Sequence, residues 1–223
     1  MNVKAVIFDL DGTLATFNLN YKNLRADARS LLLHAGVPSS VISTNESIFE
    51  MLKKTEVFFK KSPESFEKAK NAVLAIAEKY ELEAAANTSL LSGAVEVLKN
   101  LKEKGIKMGL CTISSGKSAN FILQRFKISD FFDAVVPREC VRYVKPHPEQ
   151  IELALKALGV KAAAALFVGD SIGDMQAAKD AGALAVGFPT ERNTPKELIE
   201  AGADYIITAL TDLPVLIEKI NKS

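Results

Sequence analysis

Cysteine and histidine are scarce in this 223-residue chain: only Cys111 and Cys140, and only His34 and His147. Four residues so scattered form neither a C-x-x-C nor a zinc-spaced Cys/His set, and a disulfide-stapled miniprotein is excluded. The two cysteines, both in hydrophobic surroundings, read as reduced packing residues. A charge of one sign is also missing, since 28 Lys plus Arg stand against 27 Asp plus Glu, a formal net charge of +1. With no global field to draw in nucleic acid or an anionic membrane, any anion binding has to be local. No apolar run approaches the roughly 20 residues that a bilayer crossing needs. Met1 to Leu10 has no basic start and no small-residue cleavage site. These absences lead us to expect a soluble, cytoplasmic protein, monomer or homodimer, with neither nucleic acid nor membrane as a partner.

The composition is that of a globular domain, 48% hydrophobic and 25% charged. Short β-rich runs alternate with helical patterns. Val3 to Phe8 reads as a buried strand. From Ala94 onward a helix, the strand IKMGLC, the helix KSANFILQRF, the strand DAVV, the helix PEQIELALKALG, the strand AALFVG, the helix GDMQAAKDAG and the strand ALAVGF follow one another. Gly105, Gly159 and Gly182 stand where helix C-caps are expected. This alternation predicts βαβ crossovers, hence an α/β fold with a Rossmann-like parallel sheet covered by helices on both faces. One stretch breaks the rhythm. Residues 16–87 contain helical patterns and no convincing strand, so an all-helical insert is expected there, with residues 1–15 and 88–223 forming the core. Phe49, Phe58, Phe59, Phe66 and Tyr80 are expected to pack the insert's own small core, and Lys53, Lys54, Lys60 and Lys61 to lie on a solvated helix face.

Chemistry concentrates at the strand ends. The first strand runs into Asp9-Leu10-Asp11-Gly12-Thr13, where the C-terminal edge of a parallel sheet binds ligands. Two carboxylates two residues apart in extended backbone lie on one side, Gly12 permits a sharp turn, and the Thr13 hydroxyl can tie it. The turn is not G-x-G-x-x-G, which excludes a dinucleotide fingerprint. A second acidic pair stands in Gly169-Asp170-Ser171-Ile172-Gly173-Asp174, with Asp170 expected to cap a helix and Asp174 to lie one turn on. If the pairs converge, their repulsion calls for a hard divalent cation, and an oxygen ligand set suits Mg²⁺. Thr112, followed by Ile113-Ser114-Ser115-Gly116, offers hydroxyls and N–H groups to a phosphate oxygen. Lys145, between Val144 and Pro146-His147-Pro148, offers an ammonium on a stiffened segment.

In this order the motifs D-x-D-G-T, Thr, Lys-Pro and G-D-x-x-x-D resemble those of the haloacid dehalogenase superfamily of aspartyl phosphotransferases. The likeness covers nearly the whole chain, and the insert lies where that superfamily's type 1 helical cap is found. The resemblance implies Asp9 as nucleophile, Asp11 as general acid and base, and Thr112 and Lys145 as the phosphoryl grip. It implies a Mg²⁺ site formed by Asp9, the Asp11 backbone carbonyl and Asp170, with Asp174 in support through water or through Lys145. Ile113 stands where many relatives have a polar residue, so Ser114 or Ser115 is expected to supply that donor. Leu14-Ala15-Thr16-Phe17 lacks an aspartate that many sugar-phosphate relatives carry. A Mg²⁺-dependent hydrolase of a small phosphorylated substrate, phosphoglycolate phosphatase-like, is expected. A sugar phosphate mutase is the alternative within the superfamily. A phosphorylatable receiver-like switch is the alternative from another class, but receivers are about 120 residues long and carry no such insert.

Overall fold

A computed structural model describes residues 2–16 and 18–222, with Met1, Phe17 and Ser223 outside the described residues. The chain divides into two compact units. One runs through residue 16 and resumes at Thr88, and the other is Asn18–Asn87.

The second unit consists of α1 (Tyr21–His34), α2 (Ile48–Phe58) and α3 (Pro63–Ala86). Ser47 and Glu50 close α2 with reciprocal side-chain-to-backbone bonds, and Pro63 starts α3 at the position where a missing N–H costs nothing. Leu24, Ala28 and Leu32 from α1 meet Met51 of α2 and Val73 and Ala77 of α3 in one buried cluster. The aromatic core expected here is therefore an aliphatic one. Phe49, Phe59 and Tyr80 pack only against its edge, and Phe58 is 44% exposed.

In the first unit, β1 (Ala5–Phe8) precedes the helical unit. After it come α4 (Ala94–Glu103), β2 (Lys107–Cys111), α5 (Gly116–Arg125), β3 (Ala134–Val136), α6 (Glu149–Leu158), β4 (Ala165–Gly169), α7 (Ile172–Asp180), β5 (Leu184–Gly187), α8 (Pro195–Glu200), β6 (Tyr205–Ile206) and α9 (Leu213–Lys222). The strands form one sheet in the order β3-β2-β1-β4-β5-β6, parallel throughout. This is the doubly wound order, and it reverses direction between β1 and β4. Parallel strands covered on both faces need apolar side chains on both faces, and β1 is buried at every position. Ala5 and Ile7 pack with Ile151 and Leu158 of α6, Met175 of α7 and Leu198 of α8. Val6 and Phe8, alternating to the opposite face, are equally sealed from solvent.

The three expected C-cap glycines all take left-handed φ, 68° at Gly105, 64° at Gly159 and 76° at Gly182. Strand β1 begins two residues later than its hydrophobic run suggests, at Ala5. Elements α8, β6 and α9 add to the expected pattern.

Candidate active site

The reversal of strand order opens a crevice beyond the carboxyl ends of β1 and β4. Asp9 is the residue after β1, its N–H still bonded to the Val168 carbonyl of β4 at 2.9 Å. Asp170 is the residue after β4. Gly12, at φ 94°, folds the chain so tightly that a Cβ there would collide with the Asp170 carboxylate. A Cβ on Gly169 would lie 2.6 Å from Cβ of Asp174. Two glycines thus clear the space that two aspartates occupy. The Thr13 hydroxyl is buried without a hydrogen-bond partner, so the turn is tied by backbone instead, through Gly12 N–H to the Ala15 carbonyl (2.8 Å) and Leu14 and Ala15 N–H to the Leu10 carbonyl (3.0 and 2.9 Å). The two crossings toward the helical unit are laced together. Thr16 N–H donates to Ser89 O (2.8 Å), the Thr88 hydroxyl donates to Thr16 O (2.6 Å), and Ala15 bridges Leu90 antiparallel.

Asp170 does not cap α7. Ser171 does, accepting from the Asp174 N–H while Asp174 Oδ2 accepts from the Ser171 N–H and hydroxyl. Both residue types cap well, and the S-x-x-D spacing decides in favour of serine. The displaced Asp170 is left facing the crevice. One oxygen each of Asp9, Asp170 and Asp174 lies within 4.8 Å of the others. The Asp11 carboxylate stands apart, accepting from the Ser114 hydroxyl at 2.7 Å.

Lys145 supplies the opposing charge. It does not sit at a strand end but nine residues past β3, on a loop that returns to the sheet. Its ammonium lies 2.6 Å from Asp9 Oδ1 and 2.6 Å from Asp174 Oδ1, and donates to the Cys111 carbonyl at 3.0 Å. Burial alone would lower its pKa, yet Asp174 and Asp9 outweigh burial and raise it. Thr112 is sealed from solvent and its hydroxyl oxygen accepts the Ser114 N–H at 3.0 Å. Ser115 caps α5, so Ser114 is the serine that turns to the site.

The electrostatics are unbalanced. Burial, with Asp174, Asp170 and Asp11 adding to it, pushes the Asp9 carboxyl well above its usual range against the pull of Lys145. Burial and Asp174 push Asp170 up to about 7. Burial also raises Asp11, while Ser114, Lys145 and Arg192 pull it down. The elevation of Asp11 comes from desolvation rather than from neighbouring carboxylates. Fully ionised, three carboxylates facing one ammonium would carry an excess of two negative charges, so the ionised form of Asp9 needs a further cation beside it. The residues fit a divalent metal: convergent carboxylate oxygens, room made by two glycines, and unmet charge.

A group whose folded pKa is raised stabilises the fold below its unfolded value and loses that contribution as pH rises through the folded value. In EDTA the wild type is therefore expected to lose melting temperature between about pH 4 and about pH 7 more steeply than Asp170→Asn does. Thermal melts of both proteins across that range check this, and parallel curves would remove the strain assigned to Asp170.

Four residues of the site are not among those the motifs single out. Asn193 Nδ2 donates to the Asp170 carbonyl at 3.0 Å, and the Thr190 hydroxyl lies 3.5 Å from Asp170 Oδ2. Both belong to the β5–α8 connection, as does Arg192, whose charge is felt by Asp11 and Asp170. Gln150 is the fourth. The helix-start signal Thr194-x-x-Glu197 marks where the β5–α8 loop ends, but nothing in the loop's sequence marks it as facing the site. Cys111 is buried as expected, its thiol pushed up to about 12 by burial, whereas Cys140 is exposed. No described helix is long and apolar enough to cross a membrane.

The family model for haloacid dehalogenase-like hydrolases matches residues 3–182. Among curated proteins, Pyrophosphatase PpaX of Bacillus cereus (strain AH820) is 26% identical over 223 residues, 100% of both chains. A hydrolase from Pseudomonas syringae of known crystal structure is 27% identical with a TM-score of 0.71, covering 97% of this chain and 99% of that one. A predicted phosphoglycolate phosphatase from Haemophilus somnus 129pt shares the fold at 23% identity and a TM-score of 0.64, covering 96% and 97%. With its acidic strand ends gathered at the sheet's reversal and a family match over most of its length, the chain belongs to the haloacid dehalogenase-like hydrolase family and is an enzyme of the phosphatase kind.

Proposed function

We propose that the chain is a Mg²⁺-dependent hydrolase of a small phosphomonoester that works through a phosphoryl group carried on Asp9. The observation that carries this reading is the convergence of Asp9, Asp170 and Asp174 within 4.8 Å around a single ammonium. When bound by Asp9, Asp170 and the Asp11 carbonyl, Mg²⁺ would supply charge neutralisation for the carboxylates and for the phosphoryl oxygens.

The chain's own residues account for the rest. An Asp9 oxygen attacks phosphorus, the bond to the leaving oxygen breaks, and water later cleaves the acyl phosphate, so one hard displacement becomes two easier ones. Lys145 and the Thr112 loop face the equatorial oxygens, where charge concentrates. Asp11, held by Ser114, gives a proton to the leaving alkoxide and takes one from the incoming water, work that suits a carboxyl raised by burial. The choice of substrate is left to the helical unit, Asn18–Asn87.

The test is phosphate release from a panel of phosphorylated metabolites, with Mg²⁺ and with EDTA. Inorganic pyrophosphate belongs on the panel because full-length relatives at 26% identity are pyrophosphatases. Turnover of one small phosphomonoester well above the others, lost in EDTA and restored by Mg²⁺, is the expected result. Preference for pyrophosphate would move the chain to the relatives' reaction, and accumulation of an isomerised sugar phosphate without phosphate release would move it to a mutase. In the same assay Asp11→Asn is expected to cost about a hundredfold or more on an alkyl phosphate, and markedly less on an aryl phosphate whose leaving group needs no proton. Equal losses on both substrates would remove the acid role from Asp11.

A further inference from the structure

Gln150 lies in the first turn of α6 and is completely buried, an uncommon place for a carboxamide. Its side chain is fully engaged. Nε2 donates to the Thr112 carbonyl at 2.8 Å and to the Val136 carbonyl at 3.1 Å, and Oε1 accepts the Lys145 N–H at 3.2 Å. Its own carbonyl accepts from the Cys111 thiol at 3.3 Å. The pairing of β2 with β3 ends at Cys111↔Val136. The Thr112 carbonyl therefore lies beyond the ladder, and Gln150 is its donor. The Lys145 loop, in turn, belongs to no strand, and side chains from the start of α6 hold its backbone. Glu149 accepts the Arg142 and Tyr143 N–H groups at 3.1 and 2.9 Å, and Gln150 takes Lys145 itself.

We infer that Gln150 is a positioning residue that holds the Thr112 loop and the Lys145 loop in register, and so sets the spacing of the two groups that grip the phosphoryl oxygens. The inference rests on the proposed roles of Thr112 and Lys145. An apolar residue of the same length would lie beside Ala154 and Leu158 on the buried side of α6. It would leave the buried Thr112 carbonyl without the Gln150 donor and the Lys145 N–H without its acceptor, while the Val136 carbonyl would keep only the Thr112 N–H at 3.2 Å, all at the ends of the two segments that carry the grip. Burial thus disfavours a carboxamide at this position, and what the carboxamide adds is the link between the two loops.

The experiment compares wild type with Gln150→Met, Gln150→Glu and Lys145→Met by calorimetric affinity for inorganic phosphate in Mg²⁺, by KM for an aryl phosphate, and by thermal melting. Affinity and KM do not depend on how much of the sample is folded, so a merely structural loss leaves them unmoved. Gln150→Met is expected to weaken phosphate binding about tenfold and to raise KM in step, as loss of an outer-shell support does. Gln150→Glu keeps the acceptor for the Lys145 N–H but turns a carboxylate toward the Thr112 and Val136 carbonyls, so it should shift both at least as far as Gln150→Met. A Gln150→Met protein that melts lower yet keeps wild-type affinity and KM would overturn the inference and reduce Gln150 to packing. Should that variant not fold, wild-type values in Gln150→Glu decide the same way. Unchanged phosphate affinity in Lys145→Met would instead remove the reading of the grip, and the inference with it. A loss in Lys145→Met alone would overturn only the role of Gln150.

Discussion

Asp9→Asn is expected to lower kcat by about four orders of magnitude or more while leaving the fold at least as stable as wild type. An amide oxygen is not a nucleophile toward phosphorus, and no other described carboxylate occupies the same position. Asp11 is bonded to Ser114, Asp174 is tied into the start of α7, and Asp170 sits across the strand reversal. The stability side follows from the electrostatics. Ionised Asp9 is buried among like charges that one ammonium does not balance, so a neutral group of nearly the same volume relieves repulsion, and Lys145 keeps Asp174 as a partner. Turnover and a melt in EDTA check the two halves together. A second readout is covalent. Wild type quenched during turnover should retain phosphate in acid-stable linkage, and Asp9→Asn should retain none. Retained activity in a folded variant would end the case for a phosphoryl group on Asp9.

The strand ends were the legible part of this site. Asp9, Thr112 and Asp170 each follow an apolar run directly, and in a parallel sheet the end of such a run is also the ligand edge. The sequence cannot show how far a side chain travels after its strand. Lys145 comes from a loop rather than a strand end. Its aim depends on Glu149 and Gln150 reaching back to the 142–145 backbone, and on the pull of Asp9 and Asp174. Long-range bonds of that kind leave no local pattern. The same limit explains Gln150, which reads as one more polar position at a helix start, and Asn193 and Thr190, which read as turn formers. The cap of α7 was ambiguous for a different reason, two good capping residues side by side. The difference matters chemically, since a carboxylate spent on a cap is not available to a metal. Elements β6, with two residues, and α8, with six, are shorter than the span a periodic pattern needs. The apolar stripe of α9, Leu213, Ile217 and Ile220, is visible in its residues.

Lys145→Met carries the second large effect, because one ammonium serves both the fold and the chemistry. Methionine can follow the buried aliphatic stem, so the change removes charge more than volume. Asp9, Asp170 and Asp174 then face one another with no cation, and breaking a buried pair by deleting one partner costs about 3 to 5 kcal/mol. Part of that loss is recovered when the carboxyls take up protons. Their pKa values, already raised by burial, rise further without the ammonium, so the variant's stability in EDTA should be highest at low pH and fall as pH rises toward neutrality. Mg²⁺ should then raise the melting temperature of the variant more than that of wild type, since the ion relieves a larger charge excess. Turnover should remain low even when Mg²⁺ restores the fold, by about a thousandfold, because the phosphoryl oxygens lose a fixed cation that the metal does not replace. Lys145→Arg is the informative companion. Its planar guanidinium keeps the charge but cannot sit as a point 2.6 Å from two carboxylates on different elements, so stability should recover more fully than kcat. Melts in EDTA and in Mg²⁺ alongside kcat for the three proteins separate the two roles. If Lys145→Met melted with wild type in EDTA at neutral pH, the buried pairs would not be what holds this corner of the sheet together.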